Sequence, residues 1–212
     1  MPPQVKICGI TTTEALKAAS AAGASFVGLV FHPASQRYLH YTQAAALLNH
    51  KPDSLKAVGL FVDPDNEQLD AALAQANLDM IQLHGNESPQ DVQNIRARTN
   101  LPVIKALPVG STDDLEAIRL YESLCDWLLF DARQGRDADN PGGGGQPFDW
   151  ELLRDIRVAC PWMLAGGLNA GNVKQAQSIV SPDMLDVSSG VESVCGVKDA
   201  RLIEEFIQQA RI

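Results

Sequence analysis

Four side chains able to move a proton or hold an anion stand at telling places in the sequence: Cys8, Arg37, His84 and Asp131. Cys8 ends the run "VKIC" and is followed by Gly9; Asp131 ends "LLFD"; His84 ends "MIQLH". A thiol that loses its proton is a base, and a carboxyl group that keeps its proton is an acid. Cys8 and Asp131, facing each other across one cavity, would form such a pair. Each residue also has a plainer reading. A free cysteine is commonly a small buried hydrophobe, and an aspartate after a strand often bonds its own loop. Arg37 is either a solvated charge or, if it points inward, a fork for a carboxylate. His84 reads as a structural or substrate-lining residue rather than a catalytic one. Two glycine-rich corners follow late in the chain. "LAGGLNAGNV" holds Gly166 and Gly167 just before a helix start, and "DVSSGVES" holds Ser188, Ser189 and Gly190. Glycines alone make tight turns, but free N–H groups at such corners bind phosphate.

Elements must bring these residues together. Eight short apolar runs alternate with segments of helical period: "VKICG", "SFVGLVF", "LKAVGLFV", "DMIQLHG", "PVIKAL", "DWLLFDA", "PWMLAGG" and "MLDVSSG". They are nearly continuous rather than alternating, as parallel strands covered on both faces are. The last helical segment is the clearest, with Leu202, Ile203, Phe206, Ile207 and Ala210 on one stripe. Thr11 with Glu14 reads as a capping box, Gly23 as the stop of that helix, and Ser88–Pro89 as a start. Asp149 and Asn169 read as caps of the sixth and seventh helices. Eight βα units predict an α/β fold, a single (β/α)₈ TIM barrel of phosphate-binding type spanning residues 1–212. A doubly wound open sheet is the alternative. In a barrel the site residues sit at the C-terminal strand ends, and phosphate binds after strands seven and eight. The polar segment 133–147, "RQGRDADNPGGGGQP", is long for a βα loop and reads as a site cover or a tolerated insertion.

Composition narrows the function. The chain has 212 residues, 45% of them hydrophobic, and 26 acids against 17 bases give a net charge of −9. That balance argues against a nucleic-acid binder, since phosphate backbones need clustered Lys and Arg. It leaves room for a small anionic ligand at a locally positive site. The sequence shows no signal peptide and no apolar run of membrane-spanning length, so neither export nor a membrane partner is expected. Cys8, Cys125, Cys160 and Cys195 are scattered, which fits neither a disulfide framework nor a zinc site. A cytoplasmic enzyme without a metal is the expectation, as a monomer or homodimer.

The motifs resemble one family along essentially the whole chain. "KICGIT" at Lys6–Thr11, "FHPASQRY" at Phe31–Tyr38, "QLHG" at Gln82–Gly85, "LAGGL" from Leu164, "DVSSGVE" from Asp186 and "GVKD" at Gly196–Asp199 are similar, in order and spacing, to the phosphoribosylanthranilate isomerase family of tryptophan biosynthesis. The resemblance implies a cofactor-free Amadori rearrangement of N-(5-phosphoribosyl)anthranilate. It implies Cys8 as general base, Asp131 as general acid and Arg37 on the anthranilate carboxylate. Phosphate would rest on Gly166, Gly167, Ser188, Ser189 and Gly190, with His84 lining the substrate. There are departures: Gly142–Gly145 read "GGGG" where the family has a threonine, "QRY" stands for "PRY", and Cys195 replaces a proline. Rival readings are weaker. A metal-dependent epimerase wants paired histidines and aspartates at strand ends, the next-step synthase of the pathway wants a lysine-based acid–base set beyond Lys105, a phosphosugar-binding protein leaves Cys8 and Asp131 idle, and a Cys8 redox sensor lacks a nearby resolving thiol.

Overall fold

A computed structural model describes residues 2–132 and 148–211. The segment 133–147, with its expected cover role and "GGGG" run, lies outside the described residues. Eight parallel strands close into a barrel in chain order: β1 (Gln4–Cys8), β2 (Phe26–Val30), β3 (Lys56–Phe61), β4 (Met80–Leu83), β5 (Val103–Val109), β6 (Trp127–Ala132), β7 (Trp162–Leu164) and β8 (Met184–Val187). β8 closes onto β1 with Gln4 opposite Met184 and Lys6 opposite Asp186. All eight apolar runs are strands, and the open-sheet alternative is excluded by that closure.

Helices cover the outside: α1 (Thr13–Ala22), α2 (Tyr41–Leu48), α3 (Asn66–Gln75), α4 (Pro89–Thr99), α5 (Ile118–Tyr121), α6 (Val173–Ile179) and α7 (Ala200–Ala210). α7 buries Ile203, Phe206, Ile207 and Ala210 along the expected stripe. Local capping differs from expectation in two places. Thr12, not Thr11, caps α1, and its side chain accepts from the Ala15 N–H while Gly23 closes the helix at φ 90°. Asn172 precedes α6; Asn169 instead bends the loop, its Oδ1 accepting from the Gly171 N–H at 2.8 Å. Among the described residues the sixth unit carries a 3₁₀ turn, Trp150–Leu153, capped by Asp149 as expected. The fifth divides into a 3₁₀ stretch, Thr112–Ala117, running into α5. A small hairpin, β9 (Glu192–Val194) and β10 (Val197–Lys198), follows β8 and has no counterpart among the expected elements.

Strand periodicity gives the barrel two cores. Val5, Ile7, Val27, Leu29, Ile81, Leu128 and Phe130 belong to the outer layer under the helices. Phe26, Val58, Met80, Ile104, Leu129, Met163 and Met184, one from each strand except β1, form the interior plug. Because successive side chains alternate faces, the residues two positions on continue the inward columns. Lys6 and Cys8 share one column, Met80 and Gln82 a second, Leu129 and Asp131 a third, and Met184 and Asp186 a fourth. The candidate chemistry therefore sits at the top of these columns, with Lys6, Gln82, Leu129 and Asp186 on the inward level beneath.

Gly28 makes room for the first column. It lies opposite Cys8 in register, and a Cβ there would stand 2.7 Å from Cys8 Sγ and 3.3 Å from Lys6 Cε. Gly28→Ala should therefore overpack the interior, lowering stability by about 1–3 kcal/mol and reducing turnover. Denaturant unfolding and steady-state kinetics on the variant would check both, and an unaltered protein would show that this wall is soft.

Candidate active site

Asp131 ends the third inward column with both oxygens engaged. The Ala132 N–H donates to Oδ1 at 2.8 Å, and His84 Nε2 lies 3.1 Å from Oδ2. On the far side of the ring, Gln82 Nε2 donates to His84 Nδ1 at 2.9 Å. That bond puts the ring proton on Nε2, so the imidazole donates to Asp131 Oδ2. His84 thus bonds Asp131 directly.

Cys8 is less open than expected. It is 5% exposed and packs against Val30 and Leu60, with Val62 at the edge. The sulfur is not in a purely hydrocarbon setting, because Lys6, Asp186, Lys198 and Arg37 all lie within its electrostatic reach. Burial pushes the Cys8 thiol above its ordinary value, while the Lys6 cation pulls the other way.

Arg37 is buried, at 8% exposed, and does not stand as a free fork. Its Nε and Nη2 donate to the two oxygens of Glu192, each at 2.7 Å. Lys198 donates to the same carboxylate at 2.6 Å and to Ser188 O and Oγ at 3.0 and 3.1 Å. The Gly196 N–H adds a further bond to Glu192 at 3.1 Å. Burial works against an ionised Glu192, yet the Arg37 hydrogen bond and the Lys198 charge hold its carboxyl below the usual range. Burial depresses Lys198, against the pull of Glu192. Sequence reasoning missed Glu192 and Lys198 as site residues, although both lie inside quoted motifs. A carboxylate and an ammonium are anonymous until the fold shows that they meet Arg37 from 155 and 161 residues away.

The two glycine corners touch. A Cβ on Gly190 would fall 1.9 Å from the Leu168 carbonyl oxygen, so the loop after β8 lies backbone-on-backbone against the loop after β7. Gly166 and Gly167 take φ of 82° and 66°, the left-handed region that glycine enters freely. Asn172 Nδ2 donates to the Gly167 carbonyl at 2.8 Å, and Asn172 Oδ1 accepts from the Asn169 N–H at 2.8 Å, bracing the first corner. Ser188, Ser189 and Gly190 lead off a 3₁₀ turn, Ser189–Val191. Lys105 is a brace rather than a reactive amine: it bonds Glu87 at 2.7 Å and the Gly85 carbonyl at 2.8 Å. Among the described residues no cluster of three or more His, Cys, Asp or Glu is placed to hold a metal ion, and no helix is long and apolar enough to cross a membrane.

Residues 5–209 match the family described as N-(5'phosphoribosyl)anthranilate (PRA) isomerase. The chain belongs to this family. An N-(5'-phosphoribosyl)anthranilate isomerase of Paramagnetospirillum magneticum is 47% identical over 211 residues, covering 100% of this chain and 98% of that one. The crystal structure of the Thermotoga maritima phosphoribosyl anthranilate isomerase superposes with a TM-score of 0.87 at 36% identity, covering 98% of both chains. A further isomerase crystal structure, in complex with reduced 1-(o-carboxyphenylamino)-1-deoxyribulose 5-phosphate, gives 0.84 at 35% identity over 98% of both chains. Membership makes the chain an enzyme, an isomerase of tryptophan biosynthesis.

Glu192 is the shared anchor of Arg37 and Lys198, so Glu192→Gln should free the guanidinium and loosen the hairpin. The expected result is a KM raised about tenfold or more with a lesser fall in kcat, since a misplaced clamp weakens ground-state and transition-state binding together. Steady-state kinetics decide it; an unchanged KM would leave the clamp without a part in binding.

Proposed function

We propose that the chain converts N-(5'-phosphoribosyl)anthranilate to 1-(2-carboxyphenylamino)-1-deoxyribulose 5-phosphate as one barrel domain, with Asp131 and Cys8 as its proton donor and acceptor. Asp131 gives a proton to the ribose ring oxygen, the C1–O bond opens, and a Schiff base forms with the anthranilate nitrogen. Cys8 then takes the proton from C2. The resulting enolamine tautomerises to the ketone. C1 is reduced by the two electrons that C2 loses, so the sum is redox-neutral and calls for no cofactor.

The observation that supports this reading most is the fixed Asp131 carboxyl at the rim of an apolar barrel. His84 and the Ala132 N–H hold its two oxygens, so its direction is set before substrate arrives. Cys8 ends another inward column of the same barrel. A buried thiol with a raised pKa is seldom ionised, but once ionised it is a strong base, and the product of the two determines the rate. For the anthranilate carboxylate, Arg37 keeps Nη1 beyond the pair of bonds that Glu192 takes and the Nη2 contact to Cys195 Sγ at 4.0 Å. The abutting corners at Gly166, Gly167 and Ser188–Gly190 are the natural seat for phosphate, with the Lys198 charge behind Ser188.

Cys8→Ala and Asp131→Asn should each lower turnover by about 10²–10⁴ while leaving the circular dichroism unchanged. Loss of phosphoribosylanthranilate fluorescence measures the rate, and near-normal turnover in either variant removes that residue from its role. The pH dependence has a definite sign. Since burial raises the Cys8 pKa, the thiolate fraction is small at neutral pH and grows as pH rises. kcat/KM should therefore climb from neutral pH into the alkaline range. A profile already flat there would show a base that ionises more easily than this thiol.

A further inference from the structure

The interior column beneath Cys8 contains a charge where its neighbours have hydrocarbon. Lys6 is fully buried, two residues before Cys8 on the same inward face of β1. Its Nζ donates to Asp186 Oδ1 at 2.9 Å, directly across the β1–β8 seam. The missing side chain of Gly28 opens one space shared by Lys6 Cε and Cys8 Sγ. An ion pair is a costly way to fill a barrel, because apolar residues of similar volume are often as stabilising or more so. The other columns do so with Phe26, Val58, Ile104 and Met163.

Resting on the base role proposed for Cys8, we infer that Lys6 is a positioning residue for that base: held by Asp186, its ammonium lies under the sulfur and stabilises the thiolate as the proton leaves C2. Four charged groups face the sulfur, namely Lys6 from β1, Asp186 from β8, Lys198 from β10 and Arg37 from the loop after β2. Lys6 exerts the largest charge effect on it, and Asp186 opposes with the next. Burial works against the Lys6 charge, and Asp186 and the Cys8 thiolate both favour it. Among the cations that act on the sulfur, Lys6 ranks ahead of Lys198.

The two members of the pair should act in opposite directions, which a packing role would not produce. Lys6→Met removes the cation and should move the pH midpoint of Cys8 ionisation up by about one unit or more, with kcat falling and KM little changed. Asp186→Asn removes the anion, leaves the thiolate as the partner of Lys6 and should move the midpoint down. The double variant Lys6→Met/Asp186→Asn leaves no charge unpaired and should still show an upward shift. The midpoint is read as the pH dependence of Cys8 alkylation by iodoacetamide, located by peptide mass spectrometry, beside kcat/KM against pH, with thermal unfolding as the fold check. A midpoint unmoved in Lys6→Met and in the double variant overturns the inference. If both fail to fold, Asp186→Asn decides alone, and a midpoint that rises or stays overturns it. Alkylation does not depend on turnover, so the two readings separate. Full turnover in Cys8→Ala would sink the base role, whereas dead Cys8→Ala with an unmoved midpoint in Lys6→Met would sink only the part given to Lys6.

Discussion

The closure of β8 onto β1 is the constraint on which everything else depends. It joins strands 180 residues apart in sequence and puts Lys6 opposite Asp186 at the seam. Once the cylinder is closed, eight strand ends point one way, and side-chain alternation sorts each strand into an inward and an outward column. Nothing else in the chain could assemble Cys8, His84, Asp131 and Ser188, which come from four different strand ends. The outer face takes the apolar residues that helices cover; the inner face takes a hydrocarbon plug with Lys6, Gln82 and Asp186 buried above it. The reactive groups therefore stand over a floor that excludes water from below, which strengthens each electrostatic contact among them.

Much of this was legible in the sequence, for a reason that applies element by element. "LLF" before Asp131 and "MIQL" before His84 are buried on both faces, so their apolar runs mark strands and the first polar residue after each marks a rim. Ser88–Pro89 starts α4 because a hydroxyl acceptor and a ring without an N–H suit a helix's first turn. Failures cluster where two neighbours offer the same chemistry. Thr11 and Thr12 each carry a hydroxyl, and only the backbone decides which one meets the Ala15 N–H. Asn169 and Asn172 pose the same choice. After β5 a six-residue 3₁₀ stretch runs into α5, and after β6 the described residues hold the 3₁₀ turn Trp150–Leu153, so helical period in the sequence did not fix the kind of turn.

The charged residues were the least legible part. Cys8 was expected near the opening, and its strand position is as expected, yet it is buried in a cluster with Val30 and Leu60. Arg37 was weighed as a carboxylate fork without its partner Glu192, because a bidentate bond between residues 37 and 192 leaves no local signature. Lys6 was passed over inside "KICGIT", although period two already puts it on the same face as the cysteine. A strand rule applied to polar residues, as well as to apolar ones, would have flagged it.

An acidic protein that handles a doubly anionic substrate must make its own positive ground. The net charge of −9 acts at long range, through water and salt, and fades within about 10 Å. Inside the mouth the balance is set by named groups at bonding distance. Arg37 and Lys198 share one carboxylate, so that cluster is net positive by one charge, whereas Lys6 and Asp186 cancel. Depth separates the two roles. Surplus charge stands toward the rim, where a carboxylate or phosphate arrives. The neutral pair stays below, where an excess cation would have no compensating anion until the thiolate forms. A buried pair is tolerable at rest because its charges satisfy each other. On the roles proposed for Cys8 and Lys6 it becomes useful only as negative charge develops on sulfur, so its effect would belong to the transition state more than to binding.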